Sequence, residues 1–281
     1  MSTATESRDR HPEPVGHPLR VLIANDGSQS AAAATVLGLR IAGRTHGEAL
    51  LLHAEAHHAE HGRWQRHLDT VAEYAPAHAA TRTVITHGAP ADEILRIATT
   101  EGADVICVGA SALSGRLGSV SSRVVHRARC PVLISPQAVS TSPAHIAAVV
   151  LGLDGSDNAL DALPSAERLA EIFDATLVLF TRYVVLAPSA PERRQGFKQR
   201  ALGILTEAHE RLTTRAAVVD DIADGLPREA LLDAARRHAP ALLVVGRHGL
   251  GGVKERLLGS TTSAMLARAP CPVLVVPPRP E

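Results

Sequence analysis

Leu242-Leu-Val-Val-Gly246-Arg247-His248-Gly249-Leu-Gly251-Gly252-Val-Lys254-Glu-Arg256-Leu-Leu-Gly259-Ser260-Thr261-Thr262-Ser263 is the most informative stretch of this chain. It joins a short apolar run to a glycine-rich loop, and the loop to a helix start. Glycines let a backbone come close to a ligand and tolerate positive φ. Their amides can turn inward as an anion nest. A helix N-terminus then adds free N–H groups and a partial positive charge. Ser260, Thr261 and Thr262 supply hydroxyl donors, and Lys254 and Arg256 supply charge. The plain alternative is a glycine-rich turn capped at Gly259-Ser260. Neither GxxxxGK[ST] nor GxGxxG occurs, so this is not a P-loop of the Walker type or a dinucleotide fingerprint.

Outward from this loop, the chain repeats itself. Leu22-Ile-Ala-Asn-Asp26-Gly-Ser recurs as Leu151-Gly-Leu-Asp154-Gly155-Ser156, and Gly88-Ala-Pro90 as Gly225-Leu-Pro227. Gly118-Ser119-Val-Ser-Ser, followed by Cys130-Pro-Val-Leu-Ile, recurs as Gly259-Ser260-Thr-Thr-Ser, followed by Cys271-Pro-Val-Leu-Val. Three matches in one order imply two copies of one domain, as the length of 281 residues suggests. The reading is a disordered leader over 1–18, a first domain over 19–137, a linker over 138–145 where Pro and Ser cluster, and a second domain over 146–281.

Each copy alternates strand and helix signals. In the second, strands are expected over 145–153, 176–180, 216–219, 242–245 and 273–276. Ser156 is a candidate N-cap for one helix carrying Ala159, Leu160, Leu163, Ala166 and Leu169. A later helix buries Phe197, Ala201, Ile204, Leu205, Ala208 and Leu212. Pro227 starts another, and the last runs over 259–267. Continuous apolar strands between helices mean a parallel sheet covered on both faces. The expectation is an α/β fold of two tandem doubly wound parallel-sheet domains, five strands each. Ligands in such sheets sit at the carboxyl ends of the strands, near the topological switch point. There the chain offers Asp154-Gly155-Ser156, Thr181 through its backbone, and the loop Gly246-Arg247-His248-Gly249. Asp154 suits a ribose hydroxyl or an adenine amino group, and equally an Asx-turn.

The spacing Gly246-x2-Gly249-x9-Gly259-Ser260 with the early Asp154 resembles the ATP-binding type of universal stress protein domain. The closing Ala269-Pro-Cys271-Pro-Val-Leu-Val-Val is similar too, and the resemblance covers both copies. It implies an adenine-nucleotide alpha-hydrolase-like fold and a stress-response regulator. ATP, with Mg2+ as companion ion, would be held through Asp154, Gly155, Ser156, Thr181, Gly246, Arg247, His248, Gly249, Gly259, Ser260, Thr261 and Thr262. It also implies an internal pseudo-dimer of the two domains through their last strands, with a homodimer as a further possibility. The first copy departs from the pattern. Gly109 to Gly118 spans nine positions where Gly246 to Gly259 spans thirteen, and Ala112 replaces the middle glycine. Asp26, Gly109, Arg116, Gly118 and Ser119 leave at most a weak second site. The expectation is asymmetric occupancy, with the second domain dominant.

Composition narrows the remaining classes. Equal counts of 29 Lys+Arg and 29 Asp+Glu, with six aromatics, argue against a nucleic-acid binder. No run is long and apolar enough for a membrane helix or a signal peptide, and the three scattered cysteines form no disulfide framework. A reducing, cytoplasmic setting is expected. Ten of the fifteen histidines precede residue 88, and His57 and His61 share helical spacing, but a solvated connector explains them better than a metal site. No carboxylate pair or Walker B partner accompanies the loop, which favours a nucleotide-binding regulator. A slow ATPase or phosphotransferase, or a nucleotide-free scaffold, are the alternatives.

Overall fold

The computed structural model describes residues 13–55, 61–110, 117–136, 145–183, 191–249 and 258–279, with the side chains of 61 and 191–194 excepted. The first copy runs β1 (Arg20–Ala24), α1 (Gln29–Arg44), β2 (Glu48–Glu55), α2 (His61–Ala72), β3 (Ala80–His87), α3 (Pro90–Thr100), β4 (Val105–Gly109), α4 (Ser119–Arg127) and β5 (Val132–Ser135). The second runs β6 (Ala148–Leu153), α5 (Asp157–Asp161), α6 (Leu163–Phe173), β7 (Thr176–Tyr183), α7 (Pro191–Glu210), β8 (Val218–Asp224), α8 (Pro227–Arg237), β9 (Ala241–Gly246), α9 (Ser260–Arg268) and β10 (Val273–Val276).

All ten strands form one sheet in the order β3-β2-β1-β4-β5-β10-β9-β6-β7-β8. Every pairing is parallel except β5 with β10, where Leu133 stands opposite Leu274 and the chains run antiparallel. Each half repeats the same doubly wound order, and the halves join through their last strands. The short apolar strands β5 and β10, which sequence alone leaves as edges inviting a partner, therefore cover each other. The outer edges of the sheet are β3 and β8.

Alternate residues of each strand feed two cores. Val21, Ile23, Leu151 and Leu179 pack with α1, α6 and α7 on one face. Leu22, Val150 and Val178 pack with α3, α8 and Met265 of α9 on the other. Burial on both faces is why these strands are apolar at every position rather than at every second one. Both cores cross the junction, since Leu133 and Leu274 share one and Ile134 and Val273 the other.

Several local expectations shift. The helix after Ser156 is two helices meeting at Ala162, because Pro164 has no N–H to offer the carbonyl of Leu160. The strand expected over 216–219 starts at Val218 and continues through Asp220, Asp221 and Asp224. As an edge strand it has solvent on one side, so charges are tolerated where an interior strand would exclude them. Phe197 lies on α7 as its spacing predicts, yet stays 41% exposed. The leader is placed from residue 13. The Val15 N–H donates to Arg44 O at 2.8 Å, and the Arg168 guanidinium reaches the His17 carbonyl.

Candidate functional site

The switch point of the second half lies between β6 and β9, and the residues following them converge there. Gly155 takes φ +84°, which lets the chain turn sharply after β6. Asp154 Oδ1 accepts from the Ser156 N–H at 3.0 Å and from its hydroxyl at 2.6 Å. Ser156 Oγ accepts from the Ala159 N–H at 3.3 Å, capping α5. The Asx-turn and a ligand role are therefore compatible. The Ser156 N–H and hydroxyl hold one oxygen of Asp154, and the other lies against Gly249, where any Cβ would overlap it.

The loop after β9 is pinned at both ends. A Cβ on Gly246 would fall 2.8 Å from the carbonyl oxygen of Asn158. The Asn158 Oδ1 accepts from the His248 N–H at 2.8 Å. Thr262 Oγ donates to Gly246 O at 2.8 Å, and the Gly259 N–H donates to Arg247 O at 3.0 Å, fixing the start of α9. Gly246, Gly249 and Gly259 all have ordinary φ values, so close approach and not positive φ demands glycine at the first two. Gly259 is different. Among the described residues a Cβ there would meet nothing nearer than 3.5 Å, an ordinary contact, so they leave room for a side chain. Gly259 is also the N-cap of α9, and it has no side chain with which to cap that helix. Its first-turn N–H groups carry the partial positive charge of a helix start.

These parts enclose a cavity of about 430 Å³, within the ordinary size range for small-molecule sites. Asp154, His248, Gly249, Gly259, Ser260 and Thr261 line its polar side, with Gly246 and Thr262 behind them. Phe180, Pro227, Leu231 and Val245 form an apolar lobe, and Arg182 stands at its edge. The remaining sequence candidates play other parts. Thr181 is 1% exposed and its hydroxyl donates to Leu153 O at 2.9 Å, tying β7 to β6. Arg247 turns away from the cavity and is corrected here from ligand contact to strut. Its guanidinium bonds His126 O at 3.3 Å and the carbonyl of Ala128, both at the end of α4 in the other half. Burial holds that guanidinium below its ordinary pKa. Gly251, Gly252, Lys254 and Arg256 lie outside the described residues.

Sequence reasoning missed Arg182, Pro227, Leu231 and Asn158. Strand alternation from Phe180 points to Arg182 on the same face of β7. Nothing in the local pattern marks Asn158, whose role comes from the approach of α5 to β9.

The first half builds the same frame and fills it differently. Ser28 N–H donates to Asp26 Oδ1 at 3.0 Å, Gly27 has φ +75°, and Ser121 Oγ donates to Gly109 O at 2.6 Å. Gly118 caps α4 as Gly259 caps α9, with Ser119 next. Where the second half has Leu153, Thr181 and Ile204, the first has Asn25, His53 and Trp64. The Trp64 and His53 rings stack at 3.6 Å, and Trp64 lies over Gly27. His53 Nδ1 donates to Asn25 O at 2.8 Å, and His67 Nε2 to Asn25 Oδ1 at 3.2 Å. Stacked rings thus fill in the first half the positions that Thr181 and Ile204 take in the second. Ala112 and Arg116 lie outside the described residues, as does His57. Among the described residues no group of three or more His, Cys, Asp or Glu is arranged to hold a metal, and no helix is long and apolar enough to cross a membrane.

The family model described as "Universal stress protein family" matches residues 19–136 and 146–277, nearly the whole chain. The chain belongs to the universal stress protein family. Universal stress protein YxiE of Bacillus subtilis is 32% identical over 143 residues, which span 46% of this chain and 97% of that protein. A universal stress protein of Mycobacterium tuberculosis is 32% identical over 191 residues, 62% of this chain and 61% of that one. Among solved structures, a universal stress protein from Archaeoglobus fulgidus superposes with a TM-score of 0.68 at 22% identity, covering 92% of this chain and 98% of that one. A putative universal stress protein from Pseudomonas aeruginosa gives 0.69 at 18% identity, covering 93% and 94%. These likenesses establish the tandem fold.

Proposed function

We propose that the chain is a stress-response regulator that binds one adenine nucleotide, ATP, in its second domain. The observation that carries this reading is Gly259. Its backbone is ordinary, a Cβ on it would make only ordinary contacts with the described residues, and it lies where a helix start without a capping side chain at its N-cap meets a cavity. Nothing among the described residues requires glycine there, and a phosphate approaching the backbone accounts for it. In this reading the phosphates rest on the first-turn N–H groups of α9 and the hydroxyls of Ser260 and Thr261. The ribose hydroxyls face Asp154. The base lies in the apolar lobe of Phe180, Pro227, Leu231 and Val245, on aliphatic carbon with little stacking. Mg2+ would travel on the phosphate oxygens, since among the described residues the lining offers one carboxylate, Asp154. Asp26, Gly109, Gly118 and Ser119 form no equal site in this reading, because the Trp64 and His53 rings stand where the second half has Ile204 and Thr181, and Arg116 lies outside the described residues.

Regulation rather than turnover is favoured because, among the described residues, no pair of acids flanks the phosphate end of the cavity. Titration of the full chain with a fluorescent ATP analogue tests the reading, with one saturable site expected. Phosphate release at saturating Mg·ATP tests the ATPase alternative. Steady turnover lost on Asp154→Ala would favour that alternative.

A further inference from the structure

A second cavity of about 190 Å³ adjoins the first, and the two share Leu153, Asp154 and Arg182. Its far side is Tyr183 at the end of β7, with Phe197 and Arg200 of α7. Phe197 and Arg200 are three apart and so share a helix face. The chain has only six aromatics, and three of them, Phe180, Tyr183 and Phe197, gather around these two cavities. Phe197 remains 41% exposed, although aliphatic residues fill almost all of this protein's interior. The guanidinium groups of Arg182 and Arg200 have no hydrogen-bond or ion-pair partner among the described residues. Among the described residues Asp154 is the single carboxylate lining either cavity, against these two arginines.

The order of groups sets what the second cavity can receive. The helix start at Ser260 lies at one end and Asp154 in the middle, with Arg182 and then Arg200 beyond. A ligand whose phosphate chain rests on α9 presents its sugar to Asp154. A substituent on that sugar therefore projects past Asp154 toward the two arginines. Guanidinium groups match phosphate geometry and form charge-assisted hydrogen bonds.

We infer that the second cavity is a subsite for a phosphate on the ribose 2′ or 3′ oxygen, so that the chain prefers adenine nucleotides phosphorylated at both the 5′ position and a ribose hydroxyl. The inference rests on the nucleotide reading of the first cavity. Asp154 keeps the remaining hydroxyl, and Arg182 and Arg200 take the phosphate.

Competition against the fluorescent ATP analogue on the full chain tests it. The competitors are AMP, adenosine 3′,5′-bisphosphate and adenosine 2′,5′-bisphosphate. At low salt one bisphosphate is expected to bind about tenfold tighter than AMP. Arg200→Gln, on an exposed helix face outside the first cavity, should erase that gap and leave AMP unchanged. Equal binding of AMP and both bisphosphates overturns the subsite, as does a gap that survives the double variant Arg182→Gln, Arg200→Gln. An analogue that does not bind at all overturns the nucleotide reading itself, a different and separately visible result.

Discussion

Replacing Gly259 by valine separates what the fold needs from what a ligand needs. Among the described residues the nearest atom to a Cβ at this position is Arg247 O at 3.5 Å, an ordinary van der Waals contact, and the backbone φ of −57° suits any residue. Losing glycine at an N-cap costs about 1 kcal/mol, which lowers the melting temperature by about 2–4 °C in a chain of this size. The ligand loses more. The valine methyls stand between the phosphate and the first turn of α9, removing one or two amide contacts to a charged group. With the helix-dipole contribution that is about 2–4 kcal/mol, or about 30- to 700-fold in Kd. Gly246→Val is the contrasting control, because its Cβ would sit 2.8 Å from a backbone oxygen of Asn158 and should cost about 1–3 kcal/mol of stability. Thermal melts and ATP titrations of both variants provide the assay. A Gly259→Val chain that melts within a few degrees of the parent and binds ATP equally well would refute the argument. So would one that fails to fold.

Arg247→Met removes the strut between the glycine loop and the carbonyls of His126 and Ala128. It should cost about 2 kcal/mol, or about 4–8 °C in a thermal melt. An unchanged melt would show that the strut contributes nothing. Trp64 is the only tryptophan and stacks on His53 in the first domain, so saturating ATP should leave its emission unaltered. Saturable quenching together with two sites per chain would contradict asymmetric occupancy. Burial pushes the Cys130 thiol up to about 11, Cys271 up to about 12, and Cys107 further still. Raised folded-state values keep these thiols neutral, so a disulfide reagent at pH 8 should modify the native chain slowly and the unfolded chain at once. The same sign means that stability present below the ordinary thiol value drains away as pH climbs through these raised values.

The repeat made most of this architecture legible. Asp26 and Asp154 mark the ends of β1 and β6, and the paired Cys-Pro-Val-Leu runs mark β5 and β10. Continuous apolarity in Ala148–Leu153 and Ala241–Gly246 gave the doubly covered sheet, because burial on both faces leaves no polar position. What stayed hidden depends on direction in space. Arg247 sits in the glycine loop by sequence, and only the antiparallel join of β5 to β10 brings the end of α4 within its reach. Asp220 and Asp221 disguised β8 because an edge strand need not be apolar. The stacking of Trp64 on His53 has no mark in the local pattern, since the two rings come from different elements, α2 and β2. For the site, spacing singled out Asp154 and the loop glycines, and the structure brings them around one cavity. At Gly246 and Gly249 glycine is required by crowding from Asn158 and Asp154, which the spacing does not show, and at Gly259 the described residues supply no reason.

Native mass spectrometry of the full chain titrated with ATP tests the central claim most directly, since it counts bound nucleotides per molecule. The account predicts a single adduct at low ATP concentration that persists in Trp64→Ala and disappears in Gly259→Val. No adduct with the parent chain, or two adducts filling with equal affinity, would contradict it.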